Sequence, residues 1–153
     1  PKPSSAASDV YKRQAQCAFK DFGTPLRPEN PIPYLNQKGL VDRNNNQKDP
    51  YYVFKSYWND TTPFTYIESH TWTERQGPKG LKRQISVYSN CPEVELFFNG
   101  KSMGLKQRNI KAFPASGLNW DVSFVEGENI IISRGISKNG LVVKDSLKVY
   151  WFY

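Results

Sequence analysis

Side chains that commonly carry chemistry are few here and widely scattered. His70 is the only histidine, so a zinc site or a Ser-His-Asp triad has little to draw on. Cys17 and Cys91 stand far apart and are predicted to fall in different structural units. Their spacing suggests no metal site, and a disulfide between them is not expected. General acid–base work needs carboxyl groups positioned together. Glu68 and Glu74 flank His70 and Trp72, a grouping that reads as a hydrogen-bonded histidine at a domain junction. Glu93 and Glu95 fall on one face of a predicted strand and read as solvated. Asp21 closes a short apolar run, and suits a substrate-side role and a structural role at the strand end equally. Asn36-Gln37-Lys38, before Gly39, reads on its three letters as a turn shaped and solvated by polar side chains. None of these residues calls for a cofactor or a metal.

The elements that must hold these residues differ along the chain. Ala15 to Phe19 (AQCAF) is apolar enough for a short buried strand. A loop from Thr24 to Lys38 follows, with Pro25, Pro28, Pro31 and Pro33. A structureless loop of that length is more often functional than accidental, and its prolines make it rigid. Gly39-Leu40-Val41 reads as extended, and Asp42 to Gln47 as a polar turn. Lys48 to Asn59 carries helix marks, with Asp49 at the N-cap and Pro50 at the first helical position. Val53, Phe54, Tyr57 and Trp58 then form one apolar face, predicted to lie against a sheet.

From Pro63 onward the period is two. Alternation marks Tyr66 to Trp72, Gln84 to Ser89, Glu93 to Phe98 and Trp120 to Phe124. Asn129 to Ser133 is β-branched, and Leu141 to Tyr150 follows a turn at Asn139-Gly140. Asn99-Gly100 is the strongest hairpin signal in the chain, with Ser102 to Lys106 as its return strand. About seven short strands at this spacing predict a β-sandwich of roughly 90 residues.

Composition narrows the classes. Of 153 residues, 38% are apolar and 14% aromatic, which suits a globular chain with aromatic sheet faces. The net charge of +7 comes from Lys and Arg scattered singly or in pairs. That is a solvated basic surface rather than a nucleic-acid stripe. No run of about 18 apolar residues exists to span a membrane. Residues 1–14 (PKPSSAASDVYKRQ) have no hydrophobic period. They resemble a translated sequencing-adaptor remnant of the kind met in metagenomic reads, or else a disordered terminus, and are set aside.

Three blocks resemble the family-2 glycoside hydrolases, the group of β-galactosidases, β-glucuronidases and β-mannosidases. Cys17 to Arg43 (CAFKDFGTPLRPENPIPYLNQKGLVDR) looks like the eighth strand of a (β/α)8 barrel and the loop after it. Lys48 to Trp58 (KDPYYVFKSYW) is similar to the last barrel helix. Val87 to Gly104 (VYSNCPEVELFFNGKSMG) resembles an immunoglobulin-like accessory domain found after the barrel. The resemblance therefore implies a mainly β chain. Residues 1–14 would be a foreign or disordered leader, 15–62 the end of the barrel, and 63–153 an immunoglobulin-like β-sandwich.

In such barrels the active site lies on loops at the C-terminal ends of the strands, so the loop from Phe22 to Lys38 would face the sugar. Asn36-Gln37-Lys38 matches the N-x-K motif with which β-glucuronidases hold the carboxylate of a uronic acid. A lysine ammonium and an asparagine amide supply directed donors to such a group. Arg27 would add charge to the same loop or form a surface ion pair. The family usually carries a tryptophan where this chain has Cys17, as part of the wall of the sugar site, and a cysteine offers far less stacking surface.

Retaining members use two carboxyl groups about 5–5.5 Å apart, and in this family both lie upstream of the segment matched here. The resemblance thus implies part of a retaining exo-β-glycosidase acting on β-glucuronides or related β-uronides, or alternatively a β-galactosidase. A reading of another class is a non-catalytic β-sandwich that binds carbohydrate or acts as a spacer. The implied partners are a carbohydrate substrate and the upstream part of the same polypeptide, with no nucleic acid and no membrane. The implied location is periplasmic or extracellular. Trp58, Trp72, Trp120 and Trp151 could stack on sugar, but fit core or interface positions better. The isolated chain is expected to be inactive and poorly soluble, because Phe19, Phe22, Phe54 and Trp58 would lack the barrel that buries them.

Overall fold

The computed structural model describes residues 16–153 apart from Arg27 and Asn30. The nature of residues 1–14 therefore lies outside the described residues. The chain divides into two compact units, Pro1–Lys48 and Asp49–Tyr153.

In the first unit the proline-rich loop is pinched at its base by a two-residue antiparallel pair. Strand β1 (Phe22–Gly23) aligns Phe22 with Asn36 and Gly23 with Leu35 of β2 (Leu35–Asn36). The Thr24 N–H extends this pairing with a 2.8 Å bond to the Tyr34 carbonyl. The strand expected up to Phe19 is not formed by the described residues there. The Phe19 carbonyl instead accepts the N–H groups of Leu40 and Val41, and Lys20 makes a single parallel bridge to Val41. With only this short stretch alongside, the segment has too few backbone partners for a ladder. The polar turn forms as expected, around Asp42, whose carboxylate accepts the Asn44 and Asn46 N–H groups at 2.8 Å each.

The second unit opens with helix α1 (Asp49–Trp58). Eight strands follow: β3 (Thr65–Ile67), β4 (Glu74–Gln76), β5 (Lys82–Ser89), β6 (Glu93–Phe98), β7 (Lys101–Gln107), β8 (Asn119–Ser123), β9 (Gly127–Ile136) and β10 (Val142–Phe152). They form a five-stranded sheet in the order β4-β10-β9-β6-β7 and a three-stranded sheet in the order β3-β5-β8. Neighbours are antiparallel except β4 and β10. The fold class is the expected one, mainly β with an immunoglobulin-like sandwich.

The period of two explains which residues enter the core. β6 buries Val94, Leu96 and Phe98, and β10 buries Leu147, Val149 and Trp151. Ile67, Ile85, Val87, Trp120 and Val122 meet them from the smaller sheet. Each fully buried aliphatic chain of this kind contributes about 1.5–3 kcal/mol. The hairpin signal is borne out, since Asn99 and Gly100 both take positive φ (49° and 79°) between β6 and β7. Two consecutive positive φ values define the type I′ turn that matches strand twist, and glycine takes one without strain.

Two expectations need correction. Alternation over Tyr66 to Trp72 predicts one strand, but β3 ends at Ile67. Ser69 turns to φ 64°, and its N–H goes to Asp49 Oδ2 at 2.7 Å. The Asp49 carboxylate is therefore spent on the sheet rather than on its own helix; its other oxygen accepts the Tyr66 hydroxyl at 2.8 Å.

The helix face also differs. Tyr52 stacks on Tyr66 with ring centroids 3.6 Å apart and planes 6° off parallel. That turns Tyr52 and Val53 toward Tyr66, Tyr88 and Ala115, and Ser56 is the buried residue of the helix. Phe54 and Trp58 pair with each other instead (4.8 Å), and Trp58 is left 73% exposed. Trp120 and Trp151 are core residues, whereas Trp72 is exposed with the Arg75 guanidinium over its ring.

Candidate functional site: the Asn36–Lys38 turn

The sequence singles out Asn36, Lys38, Asp21, Cys17 and Arg27, and all five belong to the first unit. Arg27 lies outside the described residues. The structure brings the other four to one neighbourhood through backbone contacts around the turn.

Asn36 ends β2, opposite Phe22. Its side-chain oxygen accepts the Lys38 N–H at 3.1 Å, a local Asx turn. That bond fixes which way the amide is oriented and leaves both hydrogens of the Asn36 NH2 group without a partner among the described residues. The exposed Lys38 ammonium likewise has no carboxylate partner among them. Two unspent donors, one of them charged, therefore sit two residues apart on a held backbone. Such donors are able to hydrogen-bond anionic oxygens.

Asp21 faces inward. Only 6% of it is exposed, and one carboxylate oxygen accepts both the Gly39 N–H and the Lys48 ammonium, each at 2.8 Å. The role shown by its contacts is structural. Cys17 is exposed and unpaired. Its neighbour Gln16 donates from Nε2 to the Lys38 carbonyl at 2.8 Å, which places Cys17 beside the turn.

Gly39 lets the chain close on itself here. A Cβ at that position would stand 2.3 Å from the Asp21 nitrogen and 2.4 Å from the Lys20 carbonyl carbon, so no other residue fits. Lys48, Gln16 and Gly39 were not legible as members of the site. Lys48 is 27 residues from Asp21 and reads only as the start of a helix. Gly39 alone carried a signal, as a glycine directly after a polar turn.

His70 and Glu68 are engaged inside the second unit. His70 Nε2 lies 2.7 Å from Asp145 Oδ2, which also accepts the Ile67 N–H at 2.7 Å. The His70 ring stacks on Tyr66 at 4.6 Å. Glu68 accepts the Ser86 N–H (3.0 Å) and the Tyr88 hydroxyl (3.3 Å). Burial, with the bond to Asp49 adding to it, pushes the Tyr66 hydroxyl far above the usual phenol range. Tyr88 is raised in the same direction, chiefly by burial, with Glu68 adding to it. Neither phenol is therefore an acid or base near neutral pH. Among the described residues, no group of three or more His, Cys, Asp or Glu side chains is arranged to hold a metal ion.

Residues 80–144 match a family described as a domain of unknown function, DUF4982. A provisionally named β-glucuronidase of Formosa agariphila is 69% identical over 145 residues, which cover 95% of this chain and 18% of that protein. Among solved structures, β-glucuronidase 3 of Bacteroides uniformis has a TM-score of 0.82 and 51% identity, over 88% of this chain and 17% of its own. The β-glucuronidase of Parabacteroides merdae has a TM-score of 0.83 and 48% identity, over 87% of this chain and 17% of its own. The chain thus spans less than a fifth of the length of these relatives.

Proposed function

We propose that this chain is one segment of a family-2 glycoside hydrolase, and that the enzyme carrying it hydrolyses terminal β-glucuronides or related β-uronides with retention. In this reading Asn36 and Lys38 hold the carboxylate of the sugar. The observation that carries it is the Asn36–Lys38 turn. The Asn36 oxygen is consumed by the Lys38 N–H, while the Asn36 amide hydrogens and the Lys38 ammonium stay free of partners among the described residues. The β-glucuronidase names among the relatives support the same substrate class.

The chemistry divides accordingly. Two carboxyl groups about 5–5.5 Å apart serve as acid/base and nucleophile, and they come from barrel strands outside these 153 residues. Residues 15–62 are the end of that barrel, and 63–153 the sandwich on which its last helix rests. Cys17 lines the sugar pocket where the family usually has a tryptophan, and Arg27 adds positive charge to the loop. A periplasmic or extracellular location goes with this reading. No described helix is long and apolar enough to cross a membrane.

A charge-assisted hydrogen bond contributes about 1.5–3 kcal/mol, or roughly ten- to a hundred-fold in discrimination. The test compares kcat/KM of the full-length enzyme on an aryl β-glucuronide and an aryl β-galactoside, for wild type and Lys38→Ala. Preference for the glucuronide, removed by Lys38→Ala, is the expected result. Preference for the galactoside, little changed by Lys38→Ala, would replace this reading with a β-galactosidase in which Asn36 and Lys38 only shape a turn.

A further inference from the structure

Four consecutive backbone polar groups, from the Gln37 carbonyl to the Gly39 N–H, are each tied down by a side chain. The Lys38 N–H goes to Asn36 Oδ1 (3.1 Å) and the Lys38 carbonyl to Gln16 Nε2 (2.8 Å). On one side, the Gln37 carbonyl accepts the Lys48 ammonium at 2.8 Å. On the other, the Gly39 N–H goes to Asp21 Oδ1 at 2.8 Å. Lys48 and Asp21 are themselves an ion pair, at 2.8 Å, so one charge pair grips both residues flanking Lys38. The Asp21 side chain is 3% exposed and that of Lys48 is 30%.

A turn needs far less than this to exist. The two Asp42 bonds at the neighbouring turn are made by one surface side chain of the turn itself. At Lys38 the restraints on three of four consecutive backbone groups arrive from Gln16, Asp21 and Lys48, all outside the turn, and only the fourth comes from Asn36 within it. Holding the backbone in advance reduces what binding must spend on ordering a long, flexible lysine.

We infer that Lys48 and Asp21 are positioning residues for the uronate clamp: their ion pair fixes the backbone of residues 37–39 and thereby sets discrimination for a carboxylated sugar. The inference rests on the reading of Asn36 and Lys38 given above. Neither Lys48 nor Asp21 needs to touch substrate. Lys48 binds through its ammonium to Gln37 and Asp21, which leaves Lys38 as the exposed cation of the turn.

The test uses the full-length enzyme with Lys48→Met, Lys48→Arg, Gln16→Ala and Lys38→Ala side by side. Lys48→Met is expected to raise KM for the aryl glucuronide and lower the glucuronide/galactoside preference about tenfold, with a much smaller effect on kcat. Lys48→Arg should recover part of that preference, because the charge and the contact to Asp21 are kept. Gln16→Ala removes the restraint on the Lys38 carbonyl at an exposed position, and should lower the preference about threefold with an unchanged Tm. This variant decides the matter if Lys48→Met does not fold. The inference is overturned if the preference survives Lys48→Met or Gln16→Ala, or if both substrates lose activity in parallel. The clamp itself fails separately, if Lys38→Ala leaves the preference intact. Loss of preference in Lys38→Ala but not in the others would leave the clamp standing and remove the positioning role.

Discussion

Asn129 and Asn99, thirty residues apart, meet at 3.1 Å and join the β6–β7 hairpin to the turn between β8 and β9. Asn129 is fully buried, and each of its polar atoms is used. Its oxygen accepts the Asn99 amide and the Val125 N–H (3.0 Å), and its amide donates to the Val125 (2.8 Å) and Gly127 (3.0 Å) carbonyls. Asn99 in turn accepts the Ile130 N–H at 2.8 Å. A buried polar hub is tolerable only when it is satisfied this completely.

Asn129→Ala should therefore destabilise the sandwich by about 2–4 kcal/mol, because buried groups lose partners rather than exchange them for water. Urea unfolding of the 153-residue chain measures this. A loss under about 0.5 kcal/mol would show that the two turns hold without the asparagine pair.

The alternation along the strands makes a paired prediction. Leu96 on β6 is fully buried, whereas Ile130 on β9 is exposed. Leu96→Ala should cost roughly 2–5 kcal/mol and Ile130→Ala less than about 1 kcal/mol, although both delete an aliphatic side chain. Equal costs in the same unfolding experiment would mean that the sheets are not packed in this register.

The two thiols should react very differently. Cys17 is exposed; Cys91 is buried beside the Phe64 carbonyl, and burial raises its thiol above the ordinary value. Only the thiolate attacks a labelling reagent. Native-state labelling followed by peptide mass analysis should find Cys17 modified rapidly and Cys91 only after unfolding. Fast labelling of Cys91 would place it at a surface.

Acid should be felt at the Asp42 turn. The Asn46 side-chain amide holds the Asp42 carboxyl below the usual aspartate range, helped by the backbone N–H groups of Asn46 and Asn44. A carboxyl whose pKa is lower folded than unfolded favours the folded turn at pH above the unfolded value. That contribution fades as pH falls through the lowered folded value. A carboxyl-carbon NMR titration should give Asp42 a midpoint below ordinary aspartate, moved upward by Asn46→Ala. A midpoint unmoved by Asn46→Ala would remove the amide as the cause.

Much of the architecture was readable because β periodicity is local. Val94, Leu96 and Phe98 alternate with Glu93, Glu95 and Phe97 in the sequence, and the same alternation separates core from outer face in β6. Asn99-Gly100 marks its turn by the positive φ it tolerates. The helix was readable as a helix, but its buried face was not. A 3.6-residue period allows more than one apolar stripe, and the stacking of Tyr52 on Tyr66 chose among them. Ser69 likewise ended β3 by a bond to Asp49, twenty residues away, which no alternation pattern contains.

At the candidate site the division is sharper. The sequence by itself marked Asn36-Gln37-Lys38 as a polar turn before Gly39, because a short polar turn is written in adjacent residues; the donor role of Asn36 and Lys38 came with the family resemblance. Only the tertiary structure decided that Asp21 turns inward and that Lys48 and Gln16 hold the backbone around Lys38. Those contacts join residues 11 to 22 positions apart. Hydrogen bonds at that separation depend on where the chain folds back, which is set by packing and loop closure and not by any local preference.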